Sequence, residues 1–144
     1  MEDGEFRRLA AFRSLLREFQ AFSEQAAQRH GLTSLQYQSL LAIKACEGEV
    51  RVTVTALAQA LLVKHNSAVG LVDRIEQLGL VARRPDETDR RSVVVELTAR
   101  GKRIVAKLAA QHRAELRRIA PQLGRHADAF AKAVDMGGAA TEAA

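Results

Sequence analysis

The fold is decided by the stretch Lys64-His65-Asn66-Ser67-Ala68-Val69-Gly70-Leu71-Val72-Asp73-Arg74-Ile75, which predicts a short amphipathic helix. Apolar residues recur on one side of it at helical spacing, namely Ala68, Leu71, Val72, Ile75 and Leu78. The opposite side is polar and partly basic, and it carries Lys64, His65, Asn66, Ser67, Val69, Gly70, Asp73 and Arg74. A face of this kind suits a helix that lies in the major groove of DNA.

The residues on either side of this helix complete a larger unit. Before it, Thr53 is the expected N-cap of a helix that begins at residue 54. After it, Gly79 ends the helix. Two β-like segments between residues 80 and 97 then flank a polar loop, residues 85–91, with arginines at both shoulders. A helix-turn-helix followed by such a ribbon is a winged helix, and so we predict a mainly α fold with a small β-ribbon (α+β).

Composition sets the broad class of the protein. The length of 144 residues fits one domain, or one domain with a dimerisation extension, and the apolar fraction of 47% is enough for a core. The formal net charge of +5 is compatible with a polyanionic partner but is weak evidence alone. The lone cysteine excludes an internal disulfide. No apolar run approaches the ~20 residues that a membrane span needs, and no signal sequence is apparent, so a cytoplasmic location without membrane contact is expected.

Helical patterns at both ends of the chain present apolar stripes. Residues 6–29 carry a broad stripe, and so does a long helix over residues 99–119, which Thr98 caps. Pro121 is expected to end that helix and to begin another that runs to about residue 136. Since these stripes lack enough partners within one chain, we expect them to pack against a second subunit.

Several motifs occur in a fixed order along the chain. They are Leu32-Thr33-x-x-Gln36-Tyr37, Thr53-Val54-Thr55-Ala56-Leu57-Ala58, Leu71-Val72-Asp73-Arg74-Ile75-Glu76-x-x-Gly79-Leu80-Val81, Asp89-x-Arg91 and Leu97-Thr98-x-x-Gly101. The first also matches a capping box, in which Thr33 and Gln36 satisfy free backbone N–H groups. With these motifs the sequence resembles the MarR family of transcription regulators over roughly residues 5–136.

The resemblance implies an obligate homodimer. It also implies that residues 1–144 form a single domain with distinct parts. Residues 5–30 and 99–136 would form an intertwined dimerisation region, residues 33–98 the winged helix-turn-helix, and residues 137–144 a disordered tail. Such a dimer would present two recognition helices about one DNA turn, ~34 Å, apart. The expected binding site is therefore a pseudo-palindrome.

The predicted DNA contacts lie on the amphipathic helix and on the ribbon. The set is Lys64, His65, Asn66, Ser67, Val69, Gly70, Arg74, Arg84, Asp89, Arg90 and Arg91. Asparagine and serine bond to base edges, and an arginine at a wing tip can enter a minor groove. Lys64 is the best candidate for a phosphate contact, and Asp89 is expected to orient one of the wing arginines.

Some of these assignments have alternatives. Asn66 or Ser67 caps the helix instead of contacting bases. Arg74 either clamps a phosphate or pairs with Asp89. Gly70 either permits close approach of the backbone to DNA or is simply tolerated, and the arginines at the wing tip either bind DNA or belong to a solvated loop.

The resemblance also implies an effector site, because members of the family often bind small aromatic acids and phenols. The matching positions are Phe12, Arg13, Phe19, Tyr37, Leu41 and His112. Core packing is an alternative explanation for the apolar members of this set. Cys46 is expected to be a small, at least partly buried hydrophobe rather than a redox switch.

The expected function is that of a sequence-specific double-stranded DNA-binding transcription regulator. We expect a homodimeric repressor that a small aromatic or phenolic effector releases from its operator. The alternatives are a winged helix used for protein association and a low-specificity architectural DNA binder. The sequence shows no nucleophile–base–acid set, phosphate-binding loop or metal-ligand spacing, so neither an enzyme nor a cofactor or metal is predicted.

Overall fold

The computed structural model describes the backbone of residues 1–142 and the side chains of residues 1–132. In chain order its elements are α1 (Asp3–Gln28), α2 (Ser34–Ala45), α3 (Val54–Leu61), α4 (His65–Gln77), β1 (Val81–Pro85), β2 (Val93–Leu97) and α5 (Ala99–Glu142). The predicted mainly α fold with a small β-ribbon is confirmed. No helix within residues 1–142 combines the length and apolarity that a membrane-spanning segment needs.

Threonine caps start three of the helices, as the sequence predicts. The Thr33 hydroxyl accepts the Gln36 N–H at 3.1 Å, and the Gln36 side-chain oxygen accepts the Thr33 N–H at 3.0 Å, which completes the capping box of α2. Thr53 caps α3 by accepting the Ala56 N–H. At the start of α5, the Thr98 hydroxyl accepts the Gly101 N–H. These caps satisfy backbone donors that no helical carbonyl can reach.

Residues 24–111 form one compact unit, which we call the winged unit. In it α3 packs on α2 and α4, and the ribbon packs on all three helices. The core consists of apolar side chains with little or no exposure, among them Leu40, Leu57, Val72, Ile75, Leu80, Val94 and Val95. Burial of this stripe of α4 leaves its polar face toward solvent, which is the arrangement that the amphipathic pattern predicts.

The ribbon is a two-stranded antiparallel sheet with Arg83 opposite Val95 and Arg84 opposite Val94. The segment before α3 joins it through a bridge between Thr53 and Val94. In addition, the Val95 N–H donates to the Val52 carbonyl at 2.8 Å. The root of the ribbon is thereby tied to the start of the helix-turn-helix.

Residues 1–23 together with residues 112–142 form a second compact unit, which we call the terminal-helix unit. Leu15 and Ile119 are buried in it. The ring of Phe12 lies edge-on to the rings of His126 and Phe130, with centroids 5.7 Å away in both cases. Aromatic and aliphatic packing therefore supplies its core.

The predicted helix break at Pro121 is wrong, because α5 continues through this residue. Proline locks φ near −65°, which a helix accepts, and its main cost is one missing hydrogen bond and crowding of the preceding turn. Pro121 is exposed, so water can satisfy the carbonyl that loses its donor. The predicted tail begins at residue 137, inside α5 as assigned, and its last two residues lie outside the described part of the chain.

Candidate nucleic-acid interface

The first turn of α4 exposes a compact group of polar side chains. Lys64 is the N-cap residue in an extended conformation, and no side chain caps the helix. The alternative in which Asn66 or Ser67 serves as the cap is therefore wrong. Both are exposed, as are Lys64 and His65. The free N–H groups of this turn and the positive end of the helix dipole add to a surface that favours anions.

Farther along α4, Gly70 is exposed on the same face. A Cβ added there would meet nothing within 4 Å, so the fold does not require glycine at this position. Val69 is half-buried, and Arg74 is exposed. The exposed face of α4 therefore lacks a projecting side chain near its middle, at Gly70, and is basic toward its end, at Arg74.

The alternative in which Arg74 pairs with Asp89 is not observed among the described residues. The link between α4 and the ribbon is made by Arg83, which the sequence reasoning did not include in the site. Its guanidinium donates to Asp73 Oδ1 at 2.6 Å and to Glu76 Oε1 at 3.1 Å. Its backbone N–H also donates to Glu76 Oε2 at 3.1 Å. The signal for this role was the alternation of faces along β1, which sends only one of the two adjacent arginines toward α4.

Arg84, which was predicted to contact DNA, lies on the other face of the ribbon. Its guanidinium pairs with Glu96 Oε1 at 2.7 Å. The hydrogen bond from Arg84 holds the pKa of the Glu96 carboxyl below its usual range, and the same bond raises the pKa of Arg84. Contact between Arg84 and DNA remains a prediction, and it would compete with this ion pair.

The loop at the tip of the wing is held by two aspartates. Asp86 is buried and accepts hydrogen bonds from the Thr88 N–H, the Thr88 hydroxyl and Arg51 Nη1, the last at 2.7 Å. The bonds from Thr88, followed by the bond from Arg51, hold the pKa of the Asp86 carboxyl below its ordinary value. Asp89 Oδ1 accepts the Arg91 N–H at 3.1 Å. Asp89 therefore fixes the backbone of Arg91.

Within the described residues, neither aspartate is bonded to the side chain of Arg90 or Arg91: Asp86 accepts from Thr88 and Arg51, and Asp89 accepts from the Arg91 N–H and the Ser92 hydroxyl. Arg90 and Arg91 are both exposed. Arg91 also lines a cavity of about 250 Å³ with two other predicted site residues, His65 and Val69. The structure thus brings the start of α4 and the arginine tip to the same side of the winged unit.

The positions predicted to bind an effector lie in both units. In the terminal-helix unit, the rings of Phe19 and Phe22 lie edge-on to His112 at 6.1 and 5.5 Å. His112 is buried, and its Nε2 lies 2.8 Å from the Ser23 hydroxyl oxygen. Phe12 packs in the same unit, and Arg13 is exposed.

In the winged unit, Tyr37 is buried and Leu41 is partly exposed. Burial raises the pKa of the Tyr37 hydroxyl. A larger cavity of about 490 Å³ lies beside the ribbon, and residues other than those predicted line it. Two ion pairs lie in its lining, between Lys102 Nζ and Glu47 Oε1 at 2.8 Å and between Arg84 Nη2 and Glu96 Oε1 at 2.7 Å. Effector binding is therefore still a prediction. Tyr37, which was predicted to take part in it, is buried in the core of the winged unit.

Cys46 is half-buried and has a free thiol. No group of three or more histidine, cysteine, aspartate or glutamate side chains among the described residues is placed to hold a metal ion.

A family model described as the MarR family matches residues 30–92. A similar curated protein is the transcriptional activatory protein BadR of Rhodopseudomonas palustris, with 37% identity over 84 residues, or 58% of this chain and 48% of BadR. The chain spans about half the length of the curated relatives it matches.

Solved structures are similar over nearly the whole chain. AbsC, a MarR family transcriptional regulator from Streptomyces coelicolor, has a TM-score of 0.75 and 25% identity, covering 94% of this chain and 97% of AbsC. RV1404 from Mycobacterium tuberculosis has a TM-score of 0.69 and 26% identity, covering 94% of this chain and 97% of RV1404.

Proposed function

We propose that the chain is a transcriptional regulator of the MarR family, which its similarity to that family supports, and that it binds double-stranded DNA as a homodimer. Similarity to this family of DNA-binding regulators also confirms the expectation that the chain is not an enzyme. In the proposed complex α4 is the recognition helix and lies in a major groove, and the wing tip reaches the adjacent minor groove.

The observation that carries this proposal is the exposure of the first turn of α4 and the arginine tip on one side of the winged unit. His65 and Arg91 line the same cavity, so the two surfaces are close neighbours. Base edges in the major groove offer donors and acceptors that histidine, asparagine and serine can match. The arginines supply the cationic groups that phosphates and a narrow minor groove attract.

The terminal-helix unit supports the homodimer. Four large apolar side chains of α1 and α5 are substantially exposed, namely Phe6 57%, Leu9 44%, Leu16 37% and Leu116 41%. Clustering of exposed apolar residues on helices marks an association surface more often than scattered exposure does. A second copy of the chain would cover them, and a two-fold dimer would give the pseudo-palindromic operator.

The test of DNA binding uses fluorescence anisotropy with duplexes from the upstream region of the protein's own gene. Specific, salt-dependent binding is expected for the wild type. The double change Arg90→Ala and Arg91→Ala removes four arginines from the two wings of a homodimer, so it should weaken binding and make the slope of log K against log salt shallower by up to about 4. The matched control is Arg117→Ala with Arg118→Ala, which removes two adjacent exposed arginines from α5. Equal losses for both pairs, or no binding by the wild type, would contradict the proposal.

We further propose that the protein is a repressor and that a small aromatic acid or phenol releases it from DNA. The aromatic cluster around His112 supports a ligand of this class, since aromatic rings prefer edge-on and stacked neighbours. BadR is named an activatory protein, so the sign of regulation needs its own test. A reporter gene placed behind the operator should become more active on deletion of the regulator or on addition of the effector. Reduced activity after deletion would show an activator instead.

A further inference from the structure

We propose that Arg83 is a positioning residue for DNA recognition, which holds the wing at a fixed angle to α4 and neutralises carboxylates on that helix. This inference rests on the proposed function, since it concerns the same DNA-binding surface. In this inference Arg83 does not contact the nucleic acid. It acts by positioning α4 and the wing, which do.

Arg83 bonds to α4 through both terminal nitrogens of its guanidinium and through its backbone N–H. One terminal nitrogen, Nη2, donates to Asp73 Oδ1 at 2.6 Å and lies 3.3 Å from the Val69 carbonyl oxygen. The other, Nη1, donates to Glu76 Oε1 at 3.1 Å, and the backbone N–H of Arg83 donates to the second oxygen of the same carboxylate. Two turns of α4 are thereby fixed to one residue of β1. A planar guanidinium can satisfy this set of acceptors, whereas a lysine ammonium cannot do so with the same geometry.

The rest of the wing transmits this attachment to its tip. Arg83 is paired with Val95 across the ribbon, and Val95 is buried. Beyond β1, the loop is held by the bonds to Asp86 and by the bond from the Arg91 N–H to Asp89. Because the ribbon is fixed to α4 at its root and its loop is ordered, the orientation of the root determines where the tip lies. The attachment of Arg83 to α4 therefore sets the distance between the first turn of that helix and the wing arginines, and that distance must match two neighbouring DNA grooves.

Arg83 also changes the charge of the recognition helix. Asp73 and Glu76 are about half exposed, with side-chain exposures of 52% and 40%. Unpaired carboxylates on α4 would repel the phosphates of a bound duplex. A partly exposed ion pair contributes little to stability, so the larger effect of Arg83 should appear in DNA binding.

The experiment compares Arg83→Gln in two backgrounds, the wild-type protein and the Arg90→Ala/Arg91→Ala variant. If Arg83 acts largely through the wing, the change should lower affinity for the operator about ten-fold in the wild type, which corresponds to about 1.4 kcal/mol. In the wing variant it should lower affinity less than three-fold, since the tip that it positions is already lost. Arg118→Gln is the control, because it also removes one arginine from an ion pair, at an exposed site on α5.

A denaturation curve shows whether each variant is folded at the temperature of the binding assay. Arg83→Lys is the second variant, and it carries the test if Arg83→Gln does not fold. It retains the charge and should still lose affinity several-fold, because it cannot bridge both carboxylates. Wild-type affinity in both variants would overturn the inference and leave the proposed function intact. Equal losses in the two backgrounds would overturn the positioning role, because neutralisation of the α4 carboxylates alone would give that result. Failure of the wild type to bind DNA would overturn the proposed function and the inference together.

Discussion

Gly70 lies on the exposed face of α4, and an added methyl group there would meet no atom of the protein within 4 Å. Gly70→Ala should therefore raise the free energy of unfolding by about 1 kcal/mol, because glycine is the poorer helix former. The same methyl group would occupy the face proposed to enter the major groove, so affinity for the operator should fall several-fold. Urea denaturation and anisotropy measure the two effects. A stabilised variant with unchanged affinity would show that glycine is merely tolerated at this position.

Single residues also show how far sequence reasoning reaches. The caps at Thr33 and Thr53 were predictable, because a hydroxyl at an N-cap bonds only to nearby backbone. The partner of Arg83 was not, because it depends on which face of β1 packs against α4. Leu62 shows the same limit, since it adopts a left-handed conformation with φ of 56° while 93% exposed. Nothing in its side chain favours that conformation over the alternatives.

The junction between α4, β1 and α5 depends on close approach of backbones at Gly101. A Cβ on this residue would overlap the carbonyl oxygen of Leu80, and neither backbone can move without disturbing the core. Gly101→Ala should therefore lower the free energy of unfolding by at least about 3 kcal/mol. The control is Gly124→Ala, in open space on the same helix, which should raise it by about 1 kcal/mol. A mild effect at Gly101 would mean that α5 can shift along the ribbon.

The wing loop should respond to pH through Asp86, whose pKa is held below its ordinary value by Thr88 and Arg51. A carboxyl with a lowered folded-state pKa adds stability above its unfolded pKa of about 4, and this is lost as pH falls through the folded value. The difference in unfolding free energy between the wild type and Asp86→Asn should be constant from pH 5 to 7. It should shrink below pH 4. Urea denaturation across this range measures it, and a difference that does not change with pH would rule out this contribution.

The order of helices and strands could be predicted from periodicity and turn residues. The predicted ends of the elements differ from the observed ends by only a few residues. The exception is α5, where Pro121 suggested two helices and the structure has one. Proline removes one donor and restricts the residue before it, yet packing along both sides of the residue can outweigh that cost. Periodicity on each side of Pro121 was visible, but whether the two stripes align depends on tertiary packing.

The whole molecule poses the question of what covers the apolar residues of the terminal-helix unit. Sequence periodicity revealed the stripes of α1 and α5, and the structure buries Leu15 and Ile119 but leaves others exposed. A single chain cannot reveal the partner, since an exposed stripe and a partnered one have the same pattern. The prediction of a dimer came from the family resemblance, and the exposure of Phe6, Leu9 and Leu16 agrees with that prediction.

A double change, Leu9→Glu with Leu16→Glu, tests the proposed homodimer. Both side chains are exposed in the single chain, at 44% and 37%, so glutamate should disturb the isolated fold little. In the dimer it would bury charges without partners, which is costly. Light scattering should therefore give twice the 15.8 kDa chain mass for the wild type and the chain mass for the variant.

The control is Leu62→Glu, which introduces one glutamate at an exposed leucine of the winged unit and should remain a dimer. Loss of the dimer should also weaken binding to a two-site operator far more than binding to a half-site, because linked sites raise the effective concentration of the second contact. Circular dichroism separates dissociation from unfolding. If the wild type has the chain mass at micromolar concentration, the exposed stripes do not mediate self-association, and the pseudo-palindromic operator loses its physical basis.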